Sequence, residues 1–130
     1  MAEENPQRAL HYSAGKPGVD QIPPELLLEW GKVFSYGEKK YFRDNWKRGN
    51  QWHEFYGSAL RHILDFWLGQ DYDDCDDSEG CAGAGAEFCT THSRQHHIAQ
   101  AIWNLGALRY FQLRHLGEDD RDIVPRGGEL

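Results

Sequence analysis

Apolar positions recur at helical spacing in three separate stretches of the chain, and outside them no period persists. The first stretch opens at Pro23-Pro24, where proline is tolerated in a first turn, with Glu25 near the positive end of the dipole. Leu26, Leu27, Trp30, Val33 and Phe34 form its stripe, Glu25, Glu29 and Lys32 line the other side, and Gly37 is the expected terminator. The second runs from Trp52 to Leu68. It has a wide apolar arc (Trp52, Phe55, Tyr56, Ala59, Leu60, Ile63, Phe66, Trp67), a polar arc of Glu54, Ser58, Arg61 and Asp65, and Gly69 as its stop. The third is expected from Thr91 or Ser93 to His115, with Arg94, Gln95, Arg109 and Arg114 facing outward. On it His97, Ala101, Asn104, Leu108 and Phe111 share one narrow face, so a histidine and an amide sit two turns apart on a surface that must pack. His62 lies at the seam of the second helix, within reach of Asp65 at i+3.

The connections are chemically biased. Between Glu38 and Asn50 fall five of the fourteen basic residues, among three aromatics, in a loop or short helical turn. A solvated loop and a phosphate-contacting loop both fit that pattern. Residues 71–79 hold six carboxylates, and the run Gly80-Cys81-Ala82-Gly83-Ala84-Gly85-Ala86 follows as loop. Residues 1–15 and 117–130 read as flexible tails around a helical domain at 16–116, whose acidic then Gly/Ala/Cys-rich loop spans 70–90. The fold class is all-α: a small bundle of three main helices plus short helical turns. So much aromatic surface on three helices suggests completion by homo-oligomerisation.

Composition narrows the function classes. With 21 acidic against 14 basic residues the net charge is −7, which argues against a general nucleic-acid binder but not against a phosphorylated small molecule. No apolar run approaches the ~20 residues that span a bilayer. The N-terminus lacks the basic and apolar regions of a secretory signal. Three cysteines confined to positions 75–89 do not make a disulfide framework, so a reducing cytoplasm is the expected location.

Three constellations carry chemistry. The acidic run fails the EF-hand template, because the loop starting at Asp71 has Asp76 where glycine is required. Mg²⁺ or Mn²⁺ needs only two or three carboxylates with waters and phosphate oxygens, so a hard-cation site and a merely solvated loop both remain. Cys75, Cys81, Cys89 and His92 offer a Cys3His set for Zn²⁺. Their gaps of five, seven and two residues lack the paired short spacing of zinc motifs, and small residues in a flexible loop is the alternative; zinc is the less favoured metal. His62 and His97 are each followed by isoleucine, so the contiguous His-Asp pair of metal-dependent phosphohydrolases is absent. Each is a ligand or catalytic candidate, or a hydrogen-bonded core histidine. His11, His53 and His115 read as surface residues.

Several segments in order carry a resemblance. They are Ile22-Pro23-Pro24-Glu25-Leu26-Leu27, Tyr36-Gly37-Glu38-Lys39-Lys40-Tyr41, Asp44-Asn45-Trp46-Lys47-Arg48-Gly49, Leu60-Arg61-His62 with Trp67-Leu68-Gly69, and His96 through Asn104. The set resembles a phage-enriched family of small helical proteins, named as the N-terminal domain of dATP/dGTP diphosphohydrolase and similar to the MazG-type nucleotide pyrophosphohydrolases. The resemblance covers roughly residues 16–112. Two features depart from it: the family's acidic Asp-x-(Glu/Asp)-Ser-Gly loop usually runs almost directly into the histidine helix, whereas here Cys81 and Cys89 intervene. The paired-glutamate helix of MazG-type enzymes is also absent.

The resemblance implies a MazG-like fold and attack of water on the α-phosphate of a purine deoxynucleoside triphosphate, giving monophosphate and pyrophosphate. It implies Mg²⁺ or Mn²⁺, with ligands drawn from Asp71, Asp73, Asp77 and Glu79 together with His62 and His97. His62, His97 and Asp65 are then the catalytic candidates. Lys39, Lys40, Arg43 and Arg61 would meet phosphates, and Asn45, Trp46 and Asn104 the base. A non-enzymatic helical interaction module and a zinc-stabilised phage accessory protein are the rival readings.

Overall fold

The computed structural model describes residues 9–10 and 15–127. The N-terminal tail expected at 1–15 falls almost wholly outside them, as do residues 128–130. The described chain is helical and has no strand. In order it forms a 3-10 turn at Val19–Gln21, helix α1 at Pro24–Lys40, a 3-10 turn at Asn45–Arg48, helix α2 at Trp52–Trp67 and helix α3 at His97–Arg114.

α3 is the element that the others share. It packs on α2, on α1 and on the Asn45–Arg48 turn, whereas α1 and α2 do not pack on each other. Its buried face explains why: Ala99, Ala101 and Ala107 are small enough for close helix approach, and Phe111 is wholly buried. Gly106 lies under the Trp30 ring of α1, where an added Cβ would come within 2.9 Å of the indole. The core is largely aromatic. Trp46 stands 5.7 Å from Trp103 and from Phe34 between ring centroids, and Phe55 meets Phe111 edge to face at 4.8 Å.

Two helix boundaries differ from expectation. α1 passes through Gly37 and ends three residues later, where the Tyr41 N–H donates to Gly37 O at 3.0 Å. Gly37 keeps a helical backbone, while Lys39 and Lys40 suit the negative end of the dipole and favour one more turn. α3 starts at His97 rather than near Ser93. Arg94 adopts a left-handed backbone at φ 62°, which ends any helix running through it. Residues 91–96 instead run back along 71–73: Asp73 N–H donates to Gln95 O at 2.9 Å, Arg94 N–H to Asp73 O at 2.8 Å, and Tyr72 and His96 form an antiparallel bridge. Arg94 and Gln95 therefore do not sit on an outward helix face. His96 becomes the N-cap, its Nδ1 accepting from Ile98 N–H at 3.1 Å.

Residues 117–121, read from sequence as the start of a tail, are held against α2. Trp52 N–H donates to Glu118 O at 2.9 Å, Trp52 Nε1 to Leu116 O at 3.0 Å, and the Arg121 guanidinium covers the Trp52 ring. Gly117, at φ 72°, permits the crossing, since a Cβ there would stand 2.4 Å from Asn50 O. Asp120 caps α2 from outside the helix: Oδ1 accepts His53 N–H at 2.9 Å and Oδ2 pairs with the His53 ring.

That pair sets a pH window. Its hydrogen bond raises the His53 pKa above the ordinary value and lowers that of Asp120. The His53 contribution is complete below the unfolded histidine pKa and is lost as pH rises through the raised one. The Asp120 contribution is present above the unfolded aspartate pKa and is lost as pH falls through the lowered one. The strap is thus tightest between about pH 4 and 6.5. In an NMR titration His53 should ionise above about 6.5, and Asp120→Asn should bring it back toward that value; a wild-type value at or below it contradicts the pairing.

Candidate functional site

The face on which sequence placed a histidine and an amide is the one α3 turns toward α2. His97, in the first turn of α3, is 3% exposed. Its Nδ1 lies 2.8 Å from Nδ1 of His62, which projects from the middle of α2. Asp65, one turn further along α2, brings Oδ2 to 3.9 Å from His97 Nε2. Burial first, and then the neighbouring His97, lowers the His62 pKa, so His62 is neutral at neutral pH.

Only one proton fits between two nitrogens at that separation. The Asp65 carboxylate favours a proton on His97 Nε2, leaving His97 Nδ1 as the acceptor and His62 Nδ1–H as the donor. His62 Nε2 then carries a free lone pair. The row Asp65, His97, His62 can pass a proton or present His62 Nε2 as a ligand, although Asp65 at 3.9 Å acts on His97 through its charge and not through a hydrogen bond. The donor atoms of all three residues lie within 4.8 Å of one another, a spacing that also allows them to share one cation.

A cleft of about 590 Å³ lies between the end of α1, the 41–50 segment, the first turn of α2 and the middle of α3, and none of His62, Asp65 and His97 lines it. Phe34, Trp46, Phe55 and Trp103 supply aromatic walls, and Arg43, Asn45 and Asn104 supply polar groups. Asn104 Nδ2 donates to Gln100 O at 2.9 Å, which fixes the amide one turn above its own backbone. Seven residues of α3, or about 10 Å of helix rise, separate Asn104 from His97. Three carboxylates that sequence reasoning left aside also line the cleft: Glu38, Asp44 and Glu54. A signal for Glu54 was present. Glu54, Ser58, His62 and Asp65 fall on one side of α2 at helical spacing, so the polar arc leads from cleft to histidines rather than only facing water.

The other candidates are dispersed. Lys39 stacks over Phe88, Lys40 over Tyr41, and Arg61 is exposed on α2 beside Gly57. None of the three lines the cleft. Of the acidic loop only residues 71–73 approach the histidines, where the Asp73 charge opposes the fall of the His62 pKa. Asp71 offers its backbone carbonyl to His97 N–H at 2.8 Å, and the Asp73 carboxylate accepts from Ser93 N–H at 3.0 Å and Oγ at 3.2 Å. Asp77 and Glu79 are exposed, and neither belongs to the His62, Asp65 and His97 cluster.

Fold and site together define a helical domain that holds an aspartate–histidine–histidine cluster between α2 and α3 and, about 10 Å further along α3, an aromatic cleft of nucleotide size. A family model described as dATP/dGTP diphosphohydrolase, N-terminal, matches residues 6–121, and the chain belongs to that family. Comparison with curated proteins gives no match, and neither does comparison with solved structures.

The relay has a spectroscopic signature. Nitrogen-15 correlation spectra near neutral pH should show His97 as the Nε2–H tautomer and His62 as the less common Nδ1–H tautomer. The opposite assignment contradicts the relay.

Proposed function

We propose that this domain hydrolyses purine deoxynucleoside triphosphates to the monophosphate and pyrophosphate with the help of a divalent metal. The observation that carries the reading is the pairing of an aromatic cleft with the Asp65–His97–His62 row, the cleft residue Asn104 standing two turns, or about 10 Å, along α3 from His97. Membership of a family named for dATP/dGTP diphosphohydrolase supplies the substrate class.

In this reading the base lies against the aromatic wall of Phe34, Trp46, Phe55 and Trp103, and the Asn45 and Asn104 amides select its edge. Arg43 receives the phosphates. The triphosphate runs along the Glu54–Ser58–His62–Asp65 side of α2. His62 Nε2 takes a proton from the attacking water, and Asp65 steadies the positive charge that develops on the histidines. With the His62 lone pair used as the base, the divalent ion travels with the phosphates and is held by oxygen ligands away from the histidines. Such an ion supplies charge neutralisation at the phosphate oxygens and a more acidic water. Glu38, Asp44 and Glu54 offer the oxygen ligands that an accompanying Mg²⁺ on the phosphates prefers.

Chromatography of the products from each of the four deoxynucleoside triphosphates, with Mn²⁺ or Mg²⁺, tests the proposal. Monophosphate and pyrophosphate from dATP and dGTP are expected. His62→Ala and His97→Ala should each lower kcat about 100-fold or more with helicity retained, whereas Arg43→Ala should mainly raise KM. Wild-type turnover in both histidine variants would make them core residues, and no turnover of any substrate by the wild type would leave the interaction-module reading.

We also propose that the domain works as a homo-oligomer. Leu26, Leu27 and Leu28 of α1 and Leu64, Trp67 and Leu68 at the end of α2 are largely exposed, Trp67 at 83%. Patches of this kind are normally covered. Light scattering coupled to gel filtration should return a multiple of the 15.0 kDa chain mass; a monomer across micromolar concentrations contradicts this.

A further inference from the structure

The loop between α2 and α3 holds a second cluster, remote in chemistry from the nucleotide cleft. Cys75, Cys81, Cys89 and His92 bring three sulfurs and one imidazole nitrogen within 4.8 Å of one another. A tetrahedral zinc site has S–S edges of about 3.8 Å and S–N edges of about 3.5 Å, from Zn–S near 2.3 Å and Zn–N near 2.0 Å. Cys89 Sγ lies 3.8 Å from His92 Nδ1. We propose that these four residues bind one structural Zn²⁺, and that the zinc knuckle positions the start of α3 and with it His97.

The surroundings of the four ligands argue for this independently of their proximity. Each sulfur meets an N–H donor: Arg94 Nη2 reaches Cys75 at 3.5 Å, Gly83 N–H reaches Cys81 at 3.4 Å, and Ala82 N–H reaches Cys89 at 3.5 Å. Thiolates need such donors, whereas neutral thiols or a disulfide do not. His92 turns Nδ1 toward the sulfurs while Nε2 lies 3.3 Å from Asp76 Oδ1. A carboxylate behind the far nitrogen is the usual second partner of a metal-bound histidine. Asp76 is in turn fixed by Ser78 N–H at 3.0 Å. Three thiolates and Zn²⁺ leave one negative charge, and Arg94 stands beside them to balance it.

Choice of metal follows from the donors. Three sulfurs and one nitrogen in a closed, four-ligand set suit Zn²⁺, leave no open position for substrate, and do not suit Mg²⁺ or Mn²⁺. An odd number of cysteines also leaves one thiol over from any disulfide. The structural need is plain, because residues 80–86 are glycine, alanine and cysteine only and bury almost nothing. From the knuckle, contacts run outward to the rest of the domain. Tyr36 Oη of α1 donates to Cys89 O at 2.9 Å, Lys39 covers the Phe88 ring, and Ser93, next to His92, is gripped by Asp73. His96 and His97 follow directly.

Metal analysis of the full chain, purified from zinc-supplemented cells without chelator, should give about one zinc per chain. Co²⁺ added to the stripped wild-type protein should give the intense red-region bands of tetrahedral cobalt thiolate, displaced by Zn²⁺. Cys81→Ser should lose the metal, and Asp76→Ala should weaken Co²⁺ binding by about 10–100-fold. Zinc removal should also broaden the His97 resonances while leaving Trp52 and residues 117–121 in place. A metal-free folded protein that gives no tetrahedral cobalt spectrum, or one containing a Cys–Cys bond by mass spectrometry, overturns the proposal. The cobalt spectrum depends on no substitution and on no catalytic activity.

Discussion

The packing of α3 is the constraint on which the rest of the structure depends. α1 and α2 have no interface of their own, so the domain holds together only because α3 presents a separate face to each. Phe111 anchors the lower part of that helix with Phe55 and Trp46, and the small residues Ala99, Ala101, Gly106 and Ala107 allow α1 and α2 to approach closely. A leucine-rich helix would give the same burial with a featureless seam. Here small residues leave room for polar ones, and His97, Gln100 and Asn104 are buried on the same helix. Burying polar groups costs stability unless each finds a partner. Their partners are His62, the helix backbone and the Gln95 carbonyl, so the polar row is built into the packing.

This arrangement couples the two ends of the domain to the candidate site. At one end Asp120 and Trp52 clamp residues 117–121 onto the first turn of α2. At the other, the antiparallel rung between residues 71–73 and 94–97 sets where α3 begins. His62 belongs to the first clamped helix and His97 to the second. Their 2.8 Å contact is where the two constraints meet.

Much of the helical fold was legible because burial imposes a 3.6-residue period. The stripe from Trp52 to Trp67 and the face through His97, Ala101, Asn104 and Phe111 are written in residue spacing. The start of α3 was not legible. Ser93 to His96 look like a helical first turn until Asp73, about 20 residues earlier, takes the Ser93 N–H and hydroxyl. The same long-range pairing determines which atoms the cysteine loop brings together, so the gaps between its cysteines carried little information. Gly37 misled because glycine ends a helix through a positive φ, and Gly37 does not adopt one. His62, Asp65 and His97 could be singled out from spacing, whereas the carboxylates of the acidic run could not be ranked. Six acids in nine residues look equivalent in sequence, yet in the fold Asp73 grips Ser93, Asp76 backs His92, and Asp77 and Glu79 are exposed.

The central claim is that water activated at His62 attacks the α-phosphate of a bound deoxynucleoside triphosphate. Turnover of dGTP in oxygen-18 water, with the products separated and weighed by mass spectrometry, tests it most directly. Attack on the α-phosphate puts the label in the monophosphate and leaves the pyrophosphate unlabelled. Label in the pyrophosphate would place the attack on the β-phosphate and contradict it.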